Sequence, residues 1–179
     1  MHRFGTSKFM EIEIIPHEIY AFIDFQQEIA IITRVLPISS SVIIPSFANF
    51  QGRNYPIRII KKEAFCGNRV THQLSFENDS QLKTIEPQAF VDSAITTLSL
   101  PKTIQNLNCI CERHHALTEI HIPENSAFSY ICNSFLVKKI TENNESFDEY
   151  ELIFARRDIT IAKIPHNIKR ILSKAYLMC

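Results

Sequence analysis

The chain has no Trp, three Gly and no surplus charge of either sign, with 19 Lys plus Arg against 19 Asp plus Glu. So few glycines exclude a Gly-rich loop that cradles phosphates. The charge balance argues against a nucleic-acid binder, which carries a clustered basic excess. No stretch approaches the ~18–20 consecutive apolar residues that cross a bilayer as a helix. The N-terminus, MHRFGTSKFMEIEIIPHE, lacks both an apolar core of about 7–15 residues and a small-residue cleavage site, so it does not read as a secretory signal. The five cysteines (Cys66, Cys109, Cys111, Cys132, Cys179) are odd in number and form no CxxC pair. A disulfide framework is therefore disfavoured, and the expectation is reduced, buried thiols. No G-x-S-x-G and no local Cys–His signature suggests a nucleophile. No cofactor is expected.

Against these absences stand 28 Ile, 11 Leu and 13 Phe in 179 residues. Ile is β-branched and suits strands better than helices. The length fits one ordinary domain.

Self-similarity accounts for much of the Ile. The segment FENDSQLKTIEPQAF (Phe76–Phe90) aligns with IPENSAFSYICNSFL (Ile122–Leu136) at an offset of 46, twice about 23. Between them lies ITTLSLPKTIQNLNCICE (Ile95–Glu112). Upstream, YPIRIIKKEAF (Tyr55–Phe65) matches at an offset of 25, and IPHNIKRILSKAY (Ile164–Tyr176) follows downstream in the same frame. The unit reads L-x-x-I-x-I-P-x-x-I-x-x-I-x-x-x-A-F, with a period of 22 to 25. In ALTEIHIP, Ile120 and Ile122 alternate with His121 and so share one face of a strand. The Pro lacks a donor and closes the strand. The spacing of three then four in the second half predicts a short helical turn.

One such unit cannot bury its own apolar face, whereas stacked units make a continuous column. The predicted rungs are Leu74/Leu98/Ile120, Phe76/Leu100/Ile122, Leu82/Ile104/Phe128/Ile168 and Ile85/Leu107/Ile131/Ile171. A small-residue rung holds Ala64, Ala89, Cys111 and Ala175, followed by Phe65, Phe90 and Tyr176, with Glu112 in place of an aromatic. The expected fold is mainly β with short helical turns, a solenoid of about 4–5 units behind an N-terminal β cap. The cap covers residues 1–54, with Ile19–Phe25, Glu28–Val35 and Val42–Ile44 as its sheet and residues 1–10 frayed. Repeats cover 55–179, interrupted near 137–157 by a surface loop over Glu142–Glu149 and a return strand over Tyr150–Phe154.

The phrases SLPKTI, HIPENS, KIPHNIKRI, EPQAF and KKEAF, in one phase, resemble the BspA-type leucine-rich repeats. That family is found in surface proteins of anaerobic bacteria and in trichomonad-type protists. The stretch IYAFIDFQQEIAIITRV…SVIIPSFANFQGRNYPIRII is similar to the β-rich unit that precedes such repeats. The resemblance implies a non-catalytic protein-interaction module, a surface antigen or adhesion protein, with a protein partner. The sequence itself shows neither signal nor membrane segment and by that measure points to the cytoplasm.

Two sets of residues are candidates for function. In the strands, the residues that alternate with the core face outward: Gln73, Ser75, Thr97, Ser99, Glu119 and His121, with Lys163 as a further member. They make a polar, small, mostly uncharged row that suits a shallow protein-binding face. The cluster CICERHH supplies Cys109, Cys111, His114 and His115, residue types that ligate zinc, and would carry the alternative of a metal-dependent enzyme. Its C-x-C-x2-H-H spacing is not that of a known zinc motif, so no metal is expected. The basic pairs Lys61-Lys62, Lys138-Lys139 and Arg156-Arg157 lie near acids and read as solvated faces. An unprotected C-terminal end would expose strand edges and core, which raises self-association there as a further expectation.

Overall fold

A computed structural model describes residues 9–14, 18–107, 110, 113–124, 126–140, 148–159, 163–172 and 175. These residues form fourteen strands: β1 Phe9–Ile14, β2 Ile19–Asp24, β3 Ile29–Val35, β4 Ser41–Ile44, β5 Phe47–Phe50, β6 Arg53–Ile60, β7 Gln73–Phe76, β8 Thr84–Ile85, β9 Thr97–Ser99, β10 Glu119–His121, β11 Phe128–Ile131, β12 Phe135–Ile140, β13 Glu149–Ala155 and β14 Ile168–Ile171.

The strand half of each repeat builds a four-stranded parallel sheet in the order β10-β9-β7-β4. Its register aligns Val42 with Leu74, Leu74 with Leu98, and Leu98 with Ile120. All four are buried in the main core. Val42–Ile44 therefore belongs to this ladder and not, as the sequence suggested, to the sheet of the preceding strands. The second half of the units gives another parallel series, β3-β6-β8, extended by a bridge from Thr84 to Asn106. In it Ile32, Ile60 and Ile85 point inward, each 1% exposed or less.

The expected helical turns are absent: no described residue is in a helix. Between the second strand and the next unit the chain makes separate four-residue turns, such as Cys66 N to Glu63 O at 2.9 Å and Val91 N to Gln88 O at 3.3 Å. Glu63 and Gln88 hold φ of 64°, and Gly67, Asp92 and Arg113 hold 68°, 52° and 53°. A left-handed residue cannot propagate a right-handed helix. With Gly so scarce, charged and amide side chains fill most of these corners. A buried polar residue follows each of the last three, as Asn68, Ser93 and His114. Three residues before each of Gly67, Asp92 and Arg113 lies a buried residue, Ala64, Ala89 and Ile110. Ile110 thus holds, relative to its corner, the place that Ala64 and Ala89 hold relative to theirs. Cys111, Glu112 and Tyr176 lie outside the described residues.

Ahead of the ladder, β1, β2 and β3 form an antiparallel meander. After it, β11, β12 and β13 form another, with β14 parallel to β13. This corrects the repeat frame. Phe128 joins the main core as expected, but β11 turns back on β12 through Cys132 and Asn133, at φ of 52° and 53°, the left-handed pair of a tight hairpin turn. Ile131 and Ile168 pack instead against a second cluster of Phe135, Val137, Leu152, Ala155 and Ala175. Ile171 is 51% exposed, so it does not continue the rung of Ile85 and Leu107. The β12–β13 sheet thus works on both faces. Leu136, Ile153 and Phe154 close onto the main core while Val137 and Leu152 build the second. Residues 1–8 of the expected frayed end and 141–147 of the expected loop lie outside the described residues.

The thiols also depart from expectation. Cys66 and Cys132 are exposed and unbonded to another cysteine. Each sits in a turn whose inward positions are already filled by neighbours such as Phe65 and Phe135. Both are expected to react with a thiol reagent in the native protein within minutes. Labelling that requires denaturant would contradict this placement.

Candidate functional site

The parallel register brings the six outward residues together. Gln73, Thr97 and Glu119 stand in one row. Ser99 and His121 are aligned in the next, with Ser75 one residue past the Leu74–Leu98 pair. Two further members come from β4, which by sequence groups with the preceding strands. Ser41 continues the first row beside Gln73, and Ile43 continues the second beside Ser75. Ile43 is 50% exposed, an apolar end to an otherwise polar face. Lys163 is exposed but lies outside the described strands.

The start of each strand is pinned by a hydroxyl ladder. Thr96 donates its hydroxyl to the His72 carbonyl, and Thr118 donates to the Thr96 carbonyl, both at 3.1 Å. Glu119 and His121 stand 3.5 Å apart on the last strand. The face is bounded by two grooves. One, of about 290 Å³, runs along β10 and is lined by Glu119, His121, Tyr130, Asn133 and Arg156. Its polar wall is held in place: the Tyr130 hydroxyl donates to the Ile120 carbonyl at 2.8 Å, and Arg156 grips Asp158 through two nitrogens. The hydrogen bond to Asp158 raises the Arg156 guanidinium further above its already high ordinary value. The other groove, of about 200 Å³, lies where the strands end, between Phe76, Leu100, Lys102 and the ring of Pro123.

Of the second candidate set only His114 and His115 are described, and they part, one into the core and the other to the surface. Cys109 and Cys111 lie outside the described residues. His114 is fully buried, with Nε2 donating to the Ile95 carbonyl at 2.9 Å and its ring 5.6 Å from that of Phe90. Phe65 stacks on the far side of Phe90 at 5.3 Å. Burial pushes the His114 imidazole down to about 4, with the nearby Arg157 cation acting in the same direction. His115 is exposed. Among the described residues no group of three or more His, Cys, Asp or Glu could hold a metal ion. No described helix is long and apolar enough to cross a membrane. The basic pairs meet acids as expected: Lys62 with Glu63, Lys139 with Asp148, and Arg156 with Asp158.

No family model matches the chain, and no curated protein matches it. Among solved structures it is similar to a leucine-rich cell surface protein from Faecalibacterium prausnitzii, at 12% identity and a TM-score of 0.44. That alignment covers 92% of this chain, which spans 66% of the other's length. It is also similar to a leucine-rich repeat protein from Bacteroides capillosus, at 15% identity and a TM-score of 0.45, over 65% of this chain and 99% of that one.

Proposed function

We propose that the chain is a non-catalytic protein-interaction module, a leucine-rich-repeat solenoid of about 4–5 units with an N-terminal β cap. In this reading it binds a protein partner on the outward face of β4, β7, β9 and β10. One observation carries it. The in-register sheet holds Gln73, Ser75, Thr97, Ser99, Glu119 and His121 at fixed spacing on a pinned surface, flanked by a groove along its last strand. A rigid face of short polar side chains loses little entropy on binding, which favours recognition by shape and hydrogen bonds.

The test is affinity capture with the wild type beside a Ser99→Arg/His121→Glu variant, with a Lys83→Glu variant as the control on another surface. A defined set of proteins should be recovered by the wild type and the control and lost from the double variant. Equal recovery by all three would count against this face. A second reading, a scaffold of a reducing compartment rather than a surface or adhesion protein, is favoured by the exposed thiols of Cys66 and Cys132. Surface biotinylation of intact cells with a non-permeant reagent separates the two.

A further inference from the structure

The two meanders share one register. In the first, Ile19, Tyr20, Ala21 and Phe22 pair with Val35, Arg34, Ile32 and Ile31, and a bulge after Tyr20 skips Thr33. In the second, Phe135, Leu136, Val137 and Lys138 pair with Ala155, Phe154, Leu152 and Glu151, and a bulge after Leu136 skips Ile153. The parallel strand that follows matches as well. Ala30, Ile31 and Ile32 align with Ile57, Ile59 and Ile60, while Tyr150, Glu151 and Leu152 align with Ile168, Arg170 and Ile171. The same backbone bonds close both: Lys61 N to Ile32 O at 2.9 Å and Val35 N to Ala64 O at 2.8 Å, then Leu172 N to Leu152 O at 3.0 Å and Ala155 N to Ala175 O at 3.1 Å. Shared strand order alone requires neither the matching bulges nor the matching anchors. The C-terminal sheet is thus built as a second start of the same array.

This match sets Ile171 opposite Ile60. The shared Ile-Pro step sets Ile164-Pro165 opposite Ile44-Pro45. In the first array Ile44 and Ile60 are completely buried, because the next unit lies beside them: β7 puts Phe76 beside Ile44, and β8 puts Ile85 beside Ile60. In the second, Ile164 is 45% and Ile171 51% exposed. The other face of this sheet is already seated on the main core through Leu136, Ile153 and Phe154. The two cations of β14 beside Ile171 stand next to acids. Lys169 is ion-paired with Glu149 at 3.7 Å, and Arg170 faces Glu151 in the register.

We propose that the β14 edge of the C-terminal sheet, with exposed Ile171 on the strand and exposed Ile164 on the segment leading into it, is a docking surface for one further repeat unit of this chain's own type, with a strand running parallel to β14 as β8 runs parallel to β6. The proposal rests on the repeat reading above and gives the expected C-terminal association a defined surface and a defined occupant.

The test uses the full chain and a labelled peptide of residues Arg69–Ser93, the unit that carries β7 and β8. Saturable binding is expected. Ile164→Glu and Ile171→Glu should each weaken it at least tenfold. Ile43→Glu, equally exposed but on the outward strand face, should leave it unchanged, and a Leu74→Asp peptide should not bind. A covalent arm avoids the cost of ordering a separate peptide. A copy of residues 69–93 fused after Cys179 begins five residues after Ala175, as Arg69 lies five after Ala64. Ile171→Glu should leave the parent's melting midpoint within about 2 °C and lower that of the fused chain by about 10 °C or more. Binding that survives Ile171→Glu, or equal shifts in parent and fusion, would overturn the proposal. So would a parent dimer that Ile171→Glu dissociates and the peptide does not, since the occupant would then be a second copy. Failure of the repeat reading itself would show separately, as a Leu98→Asp chain that still folds.

Discussion

Replacing Leu98 by Asp should leave no cooperatively melting protein. Leu98 is fully buried at the centre of the parallel ladder, with Leu74 on one side and Ile120 on the other. A carboxylate there would have no cation and no donor within the apolar column. Burying it unpaired costs several kcal/mol, and protonating it instead still leaves an unsatisfied polar group. A domain of this size is stable by only about 5–15 kcal/mol. Two graded substitutions test the cause. Leu98→Ala removes the same contacts without burying charge and should cost about 2–5 kcal/mol. Ser99→Asp, one residue along and facing outward, should stay within about 1 kcal/mol of the wild type. Far-UV circular dichroism and urea unfolding distinguish the three. A soluble Leu98→Asp chain with a sharp transition would overturn the inward assignment.

That ladder was legible in the sequence because its two signals are local. Alternation at period two gives the face, and recurrence every 22 to 25 residues gives the stack. Val42 escaped because the β5–β6 hairpin lies between it and the next unit, which stretches its separation from Leu74 to 32 residues. The turns look helical in the sequence for a different reason. Spacing of three then four fits any chain that returns to the same wall, and the corners are set by φ at Glu63 and Gln88, where no glycine marks the left-handed residue. The hairpin at Cys132 and Asn133 hid inside a repeat-like spacing, with Asn133 as its one turn signal. The outward row of the candidate face followed from the same alternation as the core, so it was legible to the same extent.

Between about pH 6.5 and 4 the chain should lose stability through His114. Its folded-state value is depressed to about 4 by burial, the reverse of a His that gains a carboxylate partner. The unfolded chain takes up a proton below about 6.5, and the folded chain refuses it until about 4, so the unfolded state binds more protons across that window and stability falls as the pH drops. The linkage amounts to about 2–3 kcal/mol by pH 4.5 and levels off below pH 4. The carboxyls of Asp148 and Asp158, held low by hydrogen bonds from Lys139 and Arg156, act in the same direction but only at more acid pH, since their ordinary value is already 3.8. His114→Phe separates the effects. It keeps a ring against Phe90, removes the titration and deprives the Ile95 carbonyl of its donor, at a cost of about 1 kcal/mol at pH 7. Its urea midpoint should then be nearly flat from pH 7 to 4.5, where the wild type declines. A variant that declines in parallel would assign the acid sensitivity to other groups. Protonation would act at a joint, because Arg157, in the turn just after β13, donates to the carbonyls of His114 and His115 at 2.8 and 3.2 Å. A second cation beside that guanidinium should loosen the sheet from the ladder first, so amides of β13 should exchange earlier than those of β9 as the pH falls.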